Sequence, residues 1–276
     1  MNRLVLPLLS ALLIAVLMFL AGCAGKTSWQ DLTAEEAWAK IVRLHDKGRY
    51  LDAVDRLEIF VINHAGASMM DSAHYLLADS HFEMKEYIIA ASEYEKLVSQ
   101  YPQSPLAEEG YYMIGECYFE MSPKASLDQT YTAQALEAFQ VFIEEYPDSK
   151  LVEVAVEKQK QCRLKLAKKE YESGRLYQKM GEYSASRIYY DSVIENFRDT
   201  PFYPKSVYYK AVSFMQTDDY ADALEQFTLF LERFPEHDLA DAVLDRVNNA
   251  RAKVLKQESE ASEPETEGEL SNVSEE

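Results

Sequence analysis

The sequence predicts an all-α protein, an α-solenoid of about five helix-turn-helix repeats. Apolar residues recur with the helical period from residue 34 to residue 256, and no segment of this range alternates convincingly as a β-strand does. A block with a central tyrosine recurs along the chain: Tyr50 and Tyr87 are 37 residues apart, and so are Tyr183 and Tyr220. Only 9 Gly and 9 Pro occur in 276 residues, which argues against collagen-like, linker-dominated and turn-rich all-β chains.

Residues 1–22 have the pattern of a bacterial lipoprotein signal peptide. Arg3 precedes an apolar run of 17 residues that ends at Leu20, which is short for a membrane span. Two small residues, Ala21 and Gly22, directly precede Cys23, and this order is typical of the lipoprotein cleavage box. Cleavage there would leave Cys23 as the first residue, with a covalent diacylglycerol thioether and an N-acyl chain. An ordinary signal peptide, or a signal anchor with an incidental cysteine, is the alternative.

Two or three acyl chains on Cys23 would anchor the protein stably to a membrane, because each buried methylene contributes about 0.8 kcal/mol. Residue 24 is Ala rather than Asp, which in enteric bacteria indicates sorting to the outer membrane. We expect residues 23–33 to form a short lipidated tether between the membrane and the first repeat.

The body of the chain repeats a pattern of small and large residues. Small residues are needed where two helix axes approach closely, and large residues fill the remaining groove. The second helices carry a small residue at Ala53, Ala90, Ala135, Ser186 and Ala223, and a bulky one four positions later at Leu57, Tyr94, Phe139, Tyr190 and Phe227. The first helices carry a small residue at Ala78, Gly115, Gly174 and Ala211, with Ile41 in the first repeat. This pattern resembles the tetratricopeptide repeat (TPR) and predicts repeats at 34–65, 71–102, 108–147, 167–198 and 204–235.

Two irregularities divide this body. Repeat three has about eight extra residues between its helices, at 122–129, and residues 150–169 read as one helix without Gly or Pro. The sequence therefore predicts an N-terminal lobe at 34–149, and a C-terminal lobe at 150–256 that begins with a long helix and ends with a capping helix at 236–256. Residues 257–276 contain eight Glu and no aromatic residue, which predicts an acidic disordered tail.

Composition and motifs argue against catalysis and against nucleic-acid binding. The net charge of −19 disfavours binding to phosphate backbones. The chain has no glycine-rich phosphate loop, no serine nucleophile elbow and no HExxH motif, so we expect no enzyme and no cofactor besides the lipid.

A metal site that combines His74 and His81 with Asp71 or Asp79 is an alternative. The two histidines fall at packing positions of repeat two, which favours a structural role. Cys117 and Cys162 are expected to be buried thiols, with a disulfide as the alternative.

The first helices of a TPR solenoid line its concave face, where partners bind. The inward positions combine aromatic residues with carboxylates, which suits an extended peptide that carries aromatic and basic side chains. The candidate partner-binding residues are Trp38, Tyr75, Asp79, Phe82, Tyr112, Glu116 and Phe119, with Glu35, His45 and Glu109 at further inward positions. The alternative is a stripe that only packs between repeats. The corresponding positions of repeat four are Lys168, Tyr171, Arg175 and Gln178, which indicates a different partner for the second lobe.

A lipoprotein box followed by five TPRs, with the extension in repeat three and the long helix after it, resembles one family. These are the BamD-type (ComL/YfiO) lipoproteins of the outer-membrane β-barrel assembly machinery, and the resemblance covers about residues 20–256. It implies a lipid-anchored subunit on the periplasmic face of the outer membrane. It further implies docking to the POTRA domains of a BamA-type barrel protein, mostly through the second lobe. The first lobe would then bind unfolded outer-membrane proteins at their aromatic-rich C-terminal segments.

Two other functions remain open from the sequence. Another envelope TPR lipoprotein, one that assembles a pilus secretin or coordinates cell-wall synthesis, would share fold and location. A helical enzyme that cleaves peptidoglycan would need an isolated catalytic Glu in a groove, and the sequence offers no candidate.

Overall fold

The computed structural model describes residues 29–262. The predicted signal peptide, Cys23 and the end of the acidic tail lie outside this range. Residues 29–262 contain eleven α-helices and no strand, which confirms the all-α prediction. The helices are α1 Ala34–His45, α2 Tyr50–Asn63, α3 Met70–Glu83, α4 Tyr87–Gln100, α5 Ala107–Met121, α6 Thr130–Glu145, α7 Val152–Lys179, α8 Tyr183–Asn196, α9 Phe202–Met215, α10 Tyr220–Arg233 and α11 Ala240–Ser262.

These helices form two compact units, which we call unit 1 (29–93) and unit 2 (94–262). The division falls inside α4 and not at residues 149 and 150, where the sequence predicts the lobe boundary. The reason is that α7 packs closely on α6. Phe139 and Phe142 of α6 form one buried cluster with Ala155 and Cys162 of α7.

The pattern of small and large residues packs as predicted. In unit 1, Ala53 and Leu57 are fully buried. In unit 2, the ring of Phe139 lies against Gly115 and the ring of Tyr190 lies against Gly174. A Cβ added to either glycine would come within 2.6 Å of the facing ring. The absence of a side chain at these two positions is therefore what lets the helices approach each other.

The chain enters unit 1 through an ordered segment. Trp29–Asp31 form a 3₁₀ turn, and the Trp29 ring lies 4.7 Å from the Arg56 guanidinium and 5.7 Å from the Lys40 ammonium group. Thr33 then caps α1: its hydroxyl accepts from the Glu36 amide, and the Glu36 carboxylate accepts from the Thr33 amide. Residues 29–33 of the predicted tether are thus ordered.

The long α7 holds the extension of repeat three in place. The helix runs through 28 residues, as the uninterrupted pattern after residue 150 predicts. Its Lys165 Nζ donates to Ser122 Oγ at 2.7 Å, and its Lys169 Nζ donates to the Ser126 carbonyl at 3.1 Å. Residues 122–129 connect α5 to α6 outside any helix, also as predicted.

The last helix extends further than the sequence suggests. The predicted capping helix ends at residue 256 and the predicted tail starts at 257, but α11 continues to Ser262. No Gly or Pro occurs in the extension, and Lys256 pairs with Glu260 one turn later at 3.4 Å. The first helix breaker after α11 is Pro264.

Candidate partner-binding surfaces

In unit 1, the predicted inward positions on α1 and α3 are half-buried side chains, except for Glu35, which is exposed. Trp38 packs on Phe60 of α2, with 5.9 Å between ring centres. Phe82 meets Tyr87 edge to face at 5.2 Å. Tyr75, which makes further contacts, is also half-buried. One side of these rings is therefore fixed by the core, while part of each side chain stays accessible.

A hydrogen bond links the two first helices of unit 1. His45 Nε2 of α1 lies 2.7 Å from Asp79 Oδ2 of α3, and the two side chains are 17% and 23% exposed. Tyr50 lies edge to face with His45 at 5.3 Å. Two predicted inward residues, His45 and Asp79, are thus brought together, and they hold each other in position.

In unit 2, the three predicted residues of α5 form one network with a lysine of α7. Tyr112 Oη donates to Glu116 Oε1 at 2.5 Å, and Lys158 Nζ donates to Glu116 Oε2 at 3.0 Å. The same ammonium group lies 4.1 Å from the centre of the Phe119 ring. Burial raises the pKa of Tyr112, and the hydrogen bond to Glu116 raises it further, so its hydroxyl stays a donor.

This network changes the role expected of Glu116. The residue is only 9% exposed, and both of its carboxylate oxygens have partners. We therefore expect Glu116 to position Tyr112 and Lys158, while Tyr112 and Phe119 keep partly exposed rings. Sequence reasoning missed Lys158. The signal was present, because Lys158, Lys165 and Lys169 are spaced to share one face of a long helix.

The repeat-four positions are also engaged within unit 2. The Arg175 guanidinium stacks on the Tyr209 ring at 3.6 Å, and Tyr171 packs against Phe202 with ring centres 5.3 Å apart. Gln178 accepts from Tyr190 Oη at 2.9 Å. Lys168 is exposed and lies 3.7 Å from Glu172. The positive charge predicted for this face is thus presented mainly by Lys168.

The histidines of the alternative metal site pair with other carboxylates, and the cysteines of the alternative disulfide are not bonded to each other. His74 lies 3.3 Å from Glu93 and His81 lies 2.7 Å from Glu86. Within residues 29–262, no group of three or more His, Cys, Asp or Glu side chains is arranged to hold a metal ion. Cys117 and Cys162 are buried free thiols. Burial raises the pKa of Cys117 to about 12 and that of Cys162 to about 11.

Comparison with known proteins identifies the family. Residues 30–210, well over half of the chain, match the family model YfiO, described as an outer membrane lipoprotein. The chain belongs to the YfiO family. A tetratricopeptide repeat model matches residues 205–237 of this YfiO chain, which confirms the TPR prediction for its fifth repeat.

Relatives of this YfiO chain carry the name outer membrane protein assembly factor BamD. The one from Caulobacter vibrioides is 28% identical over 208 residues, which are 73% of this chain and 68% of the relative. The one from Rickettsia prowazekii is 25% identical over 230 residues, which are 83% of this chain and 91% of the relative.

Within residues 29–262, none of the helices combines the length and the apolar character that crossing a membrane requires.

Proposed function

We propose that this chain is a lipid-anchored, non-catalytic subunit of an outer-membrane protein assembly complex, on the periplasmic face of the outer membrane. Its membership of the YfiO family is the observation that carries the proposal. The relatives named outer membrane protein assembly factor BamD support the same activity for this chain. Anchoring would occur through diacylglycerol and an N-acyl chain on Cys23.

The structure supports binding as the mode of action. Partly exposed aromatic side chains are held rigidly on first helices in both units, at Trp38 and Phe82 in unit 1 and at Tyr112 and Phe119 in unit 2. Rigid aromatic rings lose little conformational entropy when a partner covers them. In this proposal they receive aromatic-rich segments of unfolded outer-membrane proteins, and unit 2 docks the POTRA domains of a BamA-type barrel protein.

The first experiment is an affinity purification of the acylated protein from solubilised envelope, followed by mass spectrometry. Recovery of a POTRA-containing barrel protein in near-stoichiometric amount is the expected result. Recovery of a pilus secretin or a cell-wall synthase, without any POTRA protein, would overturn the proposed role and leave fold and anchor intact.

Substrate binding needs its own test. We expect Trp38→Ala and Phe82→Ala to weaken binding of a peptide that copies the C-terminal segment of an outer-membrane protein, each by about tenfold. Ile62→Ala is the matched control, because Ile62 lies in the same unit, is 79% exposed and is outside the predicted stripe. Equal losses in all three variants would show that the first-helix rings do not form the binding site.

The absence of catalysis can be tested at Glu116. If Glu116→Gln abolished one envelope function while all partners stayed bound, an enzymatic role would be favoured instead. We expect partner binding and envelope function to change together in this variant.

A further inference from the structure

A second surface of unit 2 lies on a different face of α5. A groove of about 390 Å³ runs between the C-terminal half of α4 and helices α5 and α6. On α5 it is lined by Tyr111, Ile114 and Tyr118, which are rotated by roughly a third of a turn from Tyr112 and Phe119. The groove is therefore separate from the face assigned to substrate binding.

The groove has apolar walls that a neighbouring chain could cover. Val98 of α4 and Ile114 of α5 are buried beneath it, whereas Val141 of α6 is 38% exposed at its edge. These three side chains offer a continuous surface for an aliphatic segment.

Most of the polar atoms that line the groove are hydrogen-bond acceptors. Its donors are the Gln134 amide, the Tyr118 hydroxyl, which already bonds to Glu95, and the Tyr111 hydroxyl, which is free to rotate. Glu95 Oε1 accepts from Tyr118 Oη at 3.0 Å, and its second oxygen has no partner among residues 29–262. Gln134 Oε1 is fully buried and, within the same residues, accepts no hydrogen bond. Glu137 adds a second carboxylate, and no Lys or Arg lines the groove. The exposed Glu95 and Glu137 carboxylates, with no basic residue in the lining, favour a ligand that brings positive charge and hydrogen-bond donors.

We propose that this groove binds a Lys or Arg side chain of a partner protein, with its methylenes on Val98, Ile114 and Val141 and its cationic head at the Glu95 carboxylate. Long basic side chains combine an apolar stem with a charged head, which is the combination that this groove complements. The acidic C-terminal segment of the chain itself is excluded as the occupant, because its glutamates would face Glu95 and Glu137. This proposal does not depend on the proposed function, since it concerns another surface.

The test uses the purified mature protein and the capped pentapeptide Ala-Leu-Arg-Leu-Ala as the probe. Methyl resonances of Val98, Ile114 and Val141 are followed by NMR up to about 10 mM peptide, where any millimolar Kd is detected. We expect saturable shifts confined to these methyl groups. The same peptide with citrulline in place of Arg keeps the shape and removes the charge, and it should bind about tenfold more weakly.

Two variants separate the groove from general attraction to an acidic protein. Glu95→Gln should weaken Arg-peptide binding by about tenfold. Glu153→Gln removes the same charge from an exposed site of α7 outside the groove, and it should leave Kd unchanged. The proposal is overturned if no shifts occur, if citrulline binds as well as Arg, or if both variants weaken binding equally.

Discussion

Four residues with left-handed backbone occupy the same position of four repeats, in the turn between first and second helix. Gly48 and Gly181 have φ of 68° and 83°, and Lys85 and Asp218 have φ of 64° and 59°. This backbone suits glycine and strains other residues by about 1 kcal/mol or more. We expect Gly181→Ala to lower the free energy of unfolding by about 1 kcal/mol, and Lys85→Gly to raise it by up to about 1 kcal/mol. Chemical denaturation measures both changes.

Gly66→Ala is the control for this prediction. Gly66 has no atom within 4 Å of an added Cβ and lies outside the left-handed region, and Gly181 is equally open. Gly66→Ala should therefore be neutral or stabilise the protein by about 0.5 kcal/mol. If Gly66→Ala and Gly181→Ala destabilised equally, backbone conformation would not be the cause.

At Gly115 the constraint is contact with a ring and not backbone conformation. An added Cβ would lie 2.6 Å from two carbons of the fully buried Phe139 ring. We expect Gly115→Ala to destabilise by about 2 to 3 kcal/mol, because a packed ring cannot move aside. Gly110→Ala in the same helix meets only Val98 and Leu97 side chains, at 3.0 and 3.1 Å, and should cost less. Combining Gly115→Ala with Phe139→Leu should recover part of the loss, and strict additivity would contradict the assigned contact.

The two buried thiols give a pH-dependent prediction. The folded pKa values of about 12 for Cys117 and about 11 for Cys162 lie above the ordinary value of 9.0. Both thiols are protonated in both states below pH 9, and above it the unfolded state loses protons first. Stability should therefore be lost as pH rises from about 9 through about 11 to 12. Replacing both cysteines with Ala should flatten this dependence in denaturation experiments, and an unchanged slope would refute the assignment.

The same thiols should be unreactive in the folded protein at neutral pH. Only the thiolate attacks a disulfide reagent, and both groups are buried and protonated. Titration with Ellman's reagent on the soluble protein with Cys23→Ser should detect two thiols only after unfolding. Rapid labelling of the native protein would contradict the burial.

At the scale of elements, Lys158 of α7 pairs with Glu116 of α5. Lys158→Met removes the partner of the nearly buried Glu116 carboxylate, so we expect a loss of about 2 kcal/mol in the free energy of unfolding. The double variant Lys158→Met/Glu116→Gln should recover part of it, because no unpaired charge then remains. Lys160→Met is the control, since Lys160 is 66% exposed and lies 4.0 Å from Glu157. Equal losses for Lys158→Met and Lys160→Met would contradict a special role of the Glu116 pair.

Some features of the helices can be predicted from the sequence, and others depend on how the helices pack. Helix order, the long α7 and the packing of Gly115 on Phe139 follow from local periodicity and from the repeat, so they could be predicted. The pairing of Lys158 with Glu116 joins residues 42 positions apart and depends on where α7 crosses α5, which periodicity does not encode. The division inside α4 also depends on how the helices pack, so local periodicity does not predict it. The sequence places the end of α11 too early, because a charge-rich segment without Pro is compatible with both a helix and a disordered tail.

At the scale of the whole molecule, lipid on Cys23 would confine unit 1 to the membrane surface. Only five residues lie between Cys23 and Trp29, and Arg56 and Lys40 hold the Trp29 ring on unit 1. The six Cα-to-Cα steps from Cys23 to Trp29 span at most about 20 Å, so the first aromatic positions would lie close to the bilayer. Cys23→Ser should release the protein from the outer membrane, as cell fractionation would show.

Lengthening the segment between Cys23 and Trp29 tests whether unit 1 must stay close to the membrane. A 20-residue Gly/Ser linker inserted after Ala24 adds about 25 Å of reach and dilutes unit 1 relative to membrane-bound partners. We expect the protein to stay in the outer membrane while the rate of outer-membrane protein assembly falls several-fold. The same linker after Ser262, beyond the end of α11, changes no distance between Cys23 and Trp29 and should have no effect. Equal rates for the two insertions would show that proximity of unit 1 to the membrane does not limit assembly.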